Sequence, residues 1–392
     1  MFSAKDIERF REDTDGVQKV IHFNNAGSAL PVNQVRDAVV DYTIEEATYG
    51  GYETHTKHFD VLEATYEAIA KLIKADKEEI AIVENATVAW NAAFQSIDFE
   101  DGDEIITNQS DYASNYIAYL HHRKDLTVKV IPNLDNGDPD LEAFETLIGE
   151  NTKLVSITHM PTNGGLVSPA EAIGEICRRH QILYLLDACQ SVGQYPIDVE
   201  AIGCDFLSVT GRKYIRAPRG TGFLYVRKST MPKLRPLTLD LHAANWTGPE
   251  TYEIRSDARK FENWEGNRAA LLGLKVAVEY ILEIGIDKIW HRVQFLAQQV
   301  REGLSKIEGV RIHDIGTVRS GIVSFTVDGK SADEVKTLLL AQNINVSWNG
   351  VPNTFLDMTA RGLKEVIRAS VHYYNTEEEI ETFLAAIQKL TD

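Results

Sequence analysis

Seven short apolar runs punctuate the first part of the chain: EIAIV (79–83), EIIT (104–107), TVKVI (127–131), KLVSIT (153–158), ILYLLD (182–187), DFLSVT (205–210) and GFLYV (222–226). Helical patterns separate several of them. LEATYEAIAKLIK places Leu62, Tyr66, Ile69 and Ile73 at helical intervals, and PAEAIGEICRRH (169–180) reads as another helix. Strand and helix in alternation predict an α/β fold, a mostly parallel seven-stranded sheet flanked by helices. ILYLLD is apolar throughout, as a central strand covered on both faces should be.

After about residue 260 the pattern changes. AALLGLKVAVEYILEIG and IDKIWHRVQFLAQQVREGL read as long amphipathic helices, the second with one stripe of Ile289, Val293, Leu296, Val300 and Leu304. GIVSFTV (321–327) alternates like a half-buried strand, and Ser331 with Glu334 forms a capping-box signature. EVIRASVHYY reads as a strand and TEEEIETFLAAIQKL as a closing helix. The expected organisation is an N-terminal segment (1–30), a large domain (31–280) and a smaller α+β C-terminal domain (281–392).

Composition narrows the function. The 392 residues carry 40 basic and 58 acidic side chains, a net charge of −18. Such a chain is not built to hold nucleic acid or an anionic membrane by general electrostatics. No apolar run approaches the ~20 residues of a membrane helix. The opening MFSAKDIERFREDTDG lacks the apolar region of a secretory signal. Cys177, Cys189 and Cys204 are too few for a disulfide framework, and no zinc spacing occurs, so no metal is expected. A cytoplasmic enzyme or binding protein is the expectation.

Three features carry candidate chemistry. Asp187 stands at the carboxyl end of the most apolar strand, where open α/β sheets bind ligands. A carboxylate there is costly unless something cationic meets it; a turn or helix-cap aspartate is the plain alternative. Lys213, in SVTGRKYIRAPRGTGFLYV, lies in a glycine-bearing loop crowded by Arg212, Arg216 and Arg219. Neighbouring positive charge favours the neutral, nucleophilic amine; a solvated loop lysine is the alternative. ENATVAWNAAF (84–94) opens a helix after a strand, and free N–H groups at a helix start bind phosphate. An Asp for a pyridinium nitrogen, a Lys for an aldehyde and a helix start for a phosphate are together the needs of pyridoxal 5′-phosphate (PLP).

In combination these motifs resemble the class V branch of fold-type I PLP-dependent enzymes, which includes cysteine desulfurases, isopenicillin N epimerase-like proteins and class V aminotransferases. The resemblance runs from HFNNAG (22–27) to RASVHYYNTEEEI (368–380). It implies that Lys213 forms the Schiff base, Asp187 pairs with the pyridine nitrogen and Gln190 reaches the ring oxygen. It places Ala86, Thr87, Thr210 and Arg212 near the phosphate and Thr162 in the cofactor cleft. Tyr112 falls where desulfurases carry a ring-stacking histidine, and is a candidate acid or stacker. Arg368 matches the arginine that clamps the substrate carboxylate. Asn25, Tyr52 and Trp348 are the remaining substrate-side candidates, Tyr52 from a partner subunit. His159 and Asn349 are further cleft candidates.

The sequence departs from that pattern in informative ways. Desulfurases carry a catalytic Cys on a small-domain loop; here the 340–360 region has none. Without that thiolate the usual persulfide cannot form, which disfavours a cysteine desulfurase. Cys189, beside Gln190, reads as a buried structural thiol, with a place near the cofactor as the alternative, and Cys177 reads as core. Glu265 stands where many relatives have a phosphate-binding Thr from the partner. The motifs GGYE, SDYASN and THMPTNGGLVSP look more like the subgroup with hercynylcysteine sulfoxide lyase. The expected function is therefore a PLP-dependent lyase that removes a sulfur or other β-substituent from an amino acid. An aminotransferase, a racemase or epimerase, and a catalytically silent binding protein are the rivals. The resemblance also implies a homodimer.

Overall fold

In the computed structural model, which describes residues 2–122 and 124–391, the seven apolar runs form one seven-stranded sheet. Its order is 80–83, 222–226, 206–210, 183–187, 152–158, 104–108, 127–131. Gly222–Val226 runs antiparallel to both its neighbours, and every other adjacent pair is parallel. The carboxyl ends of the parallel strands therefore share one edge, which carries Val83, Asn108, Thr158, Asp187 and Thr210. The central strands are buried on both faces, hence their largely apolar sequence.

The helical stripes point into the core as their spacing requires. Leu62, Tyr66, Ile69 and Ile73 are all buried on the helix Gly51–Ile73. Ile289, Val293, Leu296, Val300 and Leu304 are buried on Ile286–Leu304. At roughly 1.5–3 kcal/mol per large apolar side chain, each stripe outweighs the intrinsic helix propensity of its residues. Ser331 caps Ala332–Leu340 by accepting from Glu334 N.

A second, four-stranded antiparallel sheet runs Val310–Ile312, Ile322–Val327, Glu365–Ser370, Ser347–Gly350. The short N-terminal strand Ile21–His22 pairs with Ile344–Asn345, so the N-terminal segment is stitched to the smaller domain. Position 280 falls inside the helix Arg268–Ile284. The EVIRASVHYY strand stops at Ser370. Beyond it, Asn375 accepts from His372 N through its side chain, and the backbone turns. The pattern also leaves unannounced an exposed hairpin, Ala244–Gly248 with Thr251–Ile254. It has no buried face, so no alternation marks it.

Candidate active site

A cavity of about 340 Å³ opens at the shared strand edge. That is within the range of small-molecule sites. Asp187 forms one wall because its strand ends there, and the chain turns immediately afterwards. Its carboxylate accepts from Cys189 N at 3.0 Å and from Asn115 Nδ2 at 3.1 Å. Burial pushes its pKa up; those two donors and the charge of Lys213 pull it down. A buried carboxylate held by two neutral donors beside one lysine suits a cationic ring nitrogen.

Lys213 reaches the cavity from the loop between Thr210 and Gly222. Its Nζ lies 3.2 Å from Cys189 Sγ. Cys189 is therefore a cavity residue as well as a neighbour of the core. The thiol is raised by burial and drawn back chiefly by Lys213.

The other end of the cavity suits a phosphate. Asn85 caps the helix Ala86–Gln95 by accepting from Val88 N at 3.1 Å. Ala86 and Thr87 line the cavity in the first turn, where N–H groups lack intrahelical acceptors. Arg212 and Arg219 add positive charge, and Arg212 donates to Thr210 Oγ1 at 3.0 Å. A Cβ on Gly222 would meet Val209 O at 2.5 Å and Asn85 Cα at 3.0 Å, so only glycine lets this strand approach the phosphate turn. Arg216 departs from the expected cluster around Lys213: its guanidinium turns away, toward Leu30, Thr14 and Tyr373.

Tyr112, Thr162 and Gln190 also line the cavity. Gln190 donates its amide to Ala26 O at 3.0 Å, leaving its buried Oε1 with no protein partner among the described residues. The amide carries a second N–H, which a ring oxygen could accept. Behind Thr162 sits Arg368, buried, with Nη1 donating to Thr162 O at 3.0 Å and also to Thr162 Oγ1. Arg368 Nε donates to Ser347 Oγ at 3.0 Å. Burial lowers its pKa to about 10, and the phenols of Tyr214 and Tyr112 oppose that shift. The Asn349 amide lies 3.2 Å from Thr162 Oγ1.

The remaining expectations find other places. Asn25 is fully buried and engaged: it donates to Ser370 O at 2.7 Å and accepts from Tyr374 Oη at 2.5 Å. In this structure it acts as a brace between the N-terminal segment and the smaller domain. Trp348 points its indole N–H at Asp333, 3.0 Å away. Tyr52 is 73% exposed, and Glu265 is exposed too. His159, just past the strand Thr152–Thr158, lines a separate cleft, with its ring edge-on to Tyr195.

One cluster went unread in the sequence. Asp111 is buried and accepts from Thr107 Oγ1, Thr158 Oγ1, Tyr119 Oη, Tyr112 N and Asn115 Nδ2. The same Asn115 Nδ2 donates to Asp187. Asp111 and Asn115 straddle the start of the helix Ala113–His121. Helical periodicity gives no signal for the pair, because Asp111 lies outside the helix, before its extended N-cap Tyr112.

Known proteins resemble this chain over nearly its whole length. The family model "Aminotransferase class-V" matches residues 21–383. A probable cysteine desulfurase of Xylella fastidiosa (strain 9a5c) is 29% identical over 99% of this chain and 96% of its own length. A probable cysteine desulfurase of Pyrococcus abyssi is 28% identical over 98% of this chain and 97% of its own. The apo structure of a cysteine desulfurase from Thermococcus onnurineus NA1 superposes with a TM-score of 0.92 at 26% identity, covering 100% of this chain and 98% of that one. A complex of the cystine C–S lyase C-DES with cysteine persulfide shares the fold, with a TM-score of 0.86 at 22% identity over 96% of this chain and 99% of that one. With the match spanning nearly the whole chain, the protein belongs to the class-V aminotransferase family of PLP-dependent enzymes.

Proposed function

We propose that the protein is a PLP-dependent C–S lyase that eliminates a sulfur β-substituent from an amino acid. The observation that carries this reading is the convergence of Lys213, Asp187 and the Ala86–Thr87 helix start on one cavity, with Arg368 behind Thr162. Lys213 would hold the cofactor aldehyde, Asp187 the ring nitrogen, and Ala86, Thr87, Thr210, Arg212 and Arg219 the phosphate. Bound there, PLP supplies an electron sink for the bonding pair at the substrate Cα.

The chain's own residues do the rest. Arg368 grips the substrate carboxylate, a task suited to a planar guanidinium. Thr162 and Ser347 already hold that group in place, which limits the entropy lost on binding. Lys213, as the free amine, takes the proton from Cα. Tyr112 lines the same cavity, where it would stack on the ring or protonate the leaving sulfur. The Cα–H and Cβ–S bonds break, the sulfur leaves as a thiol with a proton, and water hydrolyses the released 2-aminoacrylate to pyruvate and ammonia. The known desulfurase route needs a cysteine in the 340–360 region, and this chain has none there. Sulfur is therefore released to solution as the thiol.

Two features support a homodimer. Helices Asn33–Tyr49 and Gly51–Ile73 expose Val40, Ile44, Tyr49, Tyr52 and Phe59. The hairpin 244–254 holds Trp246 82% exposed opposite Tyr252. An isolated two-stranded ribbon is only marginally stable in water, so a second copy is the natural cover. Among the described residues no helix is long and apolar enough to cross a membrane. Three free cysteines suit a reducing, cytoplasmic setting.

The test is a screen of S-substituted cysteines with the PLP-loaded protein, following thiol and keto acid together. Pyruvate released in step with thiol, with no added keto acid, is the expected result. Turnover only in the presence of an added keto acid would replace the lyase with an aminotransferase.

A further inference from the structure

Three residues beyond Lys213, Arg216 adopts a left-handed backbone conformation, with φ at +65°. The other non-glycine residues in that region, among those described, are Lys74, Gln181 and Asn343, and all three are exposed. Arg216 is only 2% exposed. It makes no ion pair among the described residues. A buried guanidinium without a carboxylate and a strained backbone are two unfavourable features at one position, held in place by the surroundings.

Those surroundings are specific. Nε donates to Leu30 O at 2.7 Å, Nη1 to Tyr373 Oη at 2.6 Å and Nη2 to Thr14 Oγ1 at 2.7 Å. The guanidinium carbon lies 4.5 Å from the centre of the Tyr374 ring and 5.2 Å from that of Tyr373, so two π faces replace the missing anion. On one side the residue is fastened to the lysine: Arg216 N donates to Lys213 O at 2.9 Å. On the other it reaches the strand that carries Arg368. Tyr374 Oη donates to Asn25 Oδ1, and Asn25 Nδ2 donates to Ser370 O, two residues along from Arg368. A second tie runs in parallel between His372 Nε2 and Tyr214 O, 3.1 Å apart.

We propose that Arg216 is a positioning residue that pins the Lys213 loop to the Tyr373–Tyr374 corner of the smaller domain, and so fixes the spacing between Lys213 and Arg368. The inference rests on the reading of those two residues as the cofactor and carboxylate anchors. Lys213 sits on the large sheet's edge and Arg368 on the small sheet. Their separation is set by how the two sheets are fastened together. The N-terminal segment joins the same fastening through Thr14 and Leu30, so three parts of the chain meet at one side chain. Substrate must touch both anchors at once, and a reactant held slightly out of place reacts far more slowly.

The test compares wild type with Arg216→Gly and Arg216→Lys, each reconstituted with PLP. Glycine accepts the backbone conformation without strain and removes the pin. L-Alanine, a small amino acid with no leaving group, is titrated against the cofactor's visible absorption. Borohydride fixation at Lys213 measures cofactor loading separately. The expected result is full cofactor loading in both variants, with L-alanine affinity lowered tenfold or more. Added millimolar guanidinium should recover part of the affinity in Arg216→Gly and none in Arg216→Lys, where the lysine fills the space. Variants that lose thermal stability yet bind L-alanine as wild type does would reduce Arg216 to a structural residue and overturn the pin. Should Arg216→Gly fail to fold, Tyr373→Phe removes one bond from the pin. It should weaken L-alanine binding measurably, and unchanged binding would overturn the proposal. A wild-type protein that fixes no cofactor at Lys213 overturns the underlying reading and the pin with it. A loaded wild type matched by its variants overturns the pin alone.

Discussion

Lys213 Nζ and Cys189 Sγ lie 3.2 Å apart in the lining of the cavity, Cys189 two residues beyond Asp187. Cys189 is the half-buried thiol of the chain and lines the cavity. Cys177 and Cys204 are buried, and burial raises both thiols far above the range in which they ionise. Iodoacetamide should label Cys189 first in the cofactor-free protein, since thiolate character and access set reactivity. PLP should protect it. Equal labelling of all three cysteines, or labelling indifferent to PLP, would contradict the assigned site. Cys189→Ala should keep C–S lyase activity, because the proposed reaction passes no sulfur to a protein thiol.

Asp187→Asn removes the anion opposite the ring nitrogen while keeping the shape of the side chain. Preorganised electrostatic groups of this kind are worth about 10²–10³ in rate. A loss of that size is expected in turnover, together with weaker PLP retention on dialysis. Full activity in the variant would show that the ring nitrogen has no need of the carboxylate.

Arg368→Lys keeps the charge and loses the planar fork. Hydrogen bonds to charged groups contribute about 1.5–3 kcal/mol each. The expected effect is a rise in KM of roughly 10–100-fold, with cofactor loading unchanged, read by steady-state kinetics and absorbance. An unchanged KM would place the substrate carboxylate elsewhere.

His159 gives the fold an acid sensitivity independent of the chemistry. Burial lowers its pKa to about 4, while the unfolded imidazole titrates near 6.5. As pH falls through that window, the unfolded chain takes up a proton that the folded chain refuses. Stability therefore drops toward acid, by up to about 3 kcal/mol. Asp111, raised to about 6 by burial, contributes in the opposite sense over pH 6 to 4. It is common to wild type and His159→Phe, so the difference between them isolates the imidazole. Urea melts at neutral and mildly acidic pH should show a smaller acid loss in His159→Phe. Equal losses would contradict a buried neutral histidine.

The sequence announced what is periodic or locally bounded. The strands of the large sheet stood out because both faces are covered, leaving apolar runs such as ILYLLD between polar turns. Asp187 and Lys213 were legible because each sits where a strand ends. The rest is long-range. The Asp111–Asn115–Asp187 contact joins residues more than seventy positions apart, and nothing local in SDYASN says which carboxylate Asn115 will meet. For Cys189 the sequence offers both a structural thiol and a place near the cofactor, because a thiol's direction at a strand end is not set locally. Its Sγ is turned toward Lys213 by the backbone that donates Cys189 N to Asp187. Arg216 was counted with the charges around Lys213, but its left-handed backbone swings the side chain toward residues near both ends of the chain. Asn25 has the look of a cleft residue by position, yet its amide is spent on Ser370 and Tyr374.

Borohydride reduction of the PLP-loaded protein, followed by peptide mapping, tests the central claim most directly. A pyridoxyl adduct on the peptide containing Lys213, and its absence from Lys213→Ala, is the predicted result. An adduct on another lysine, or none on any, would contradict the account.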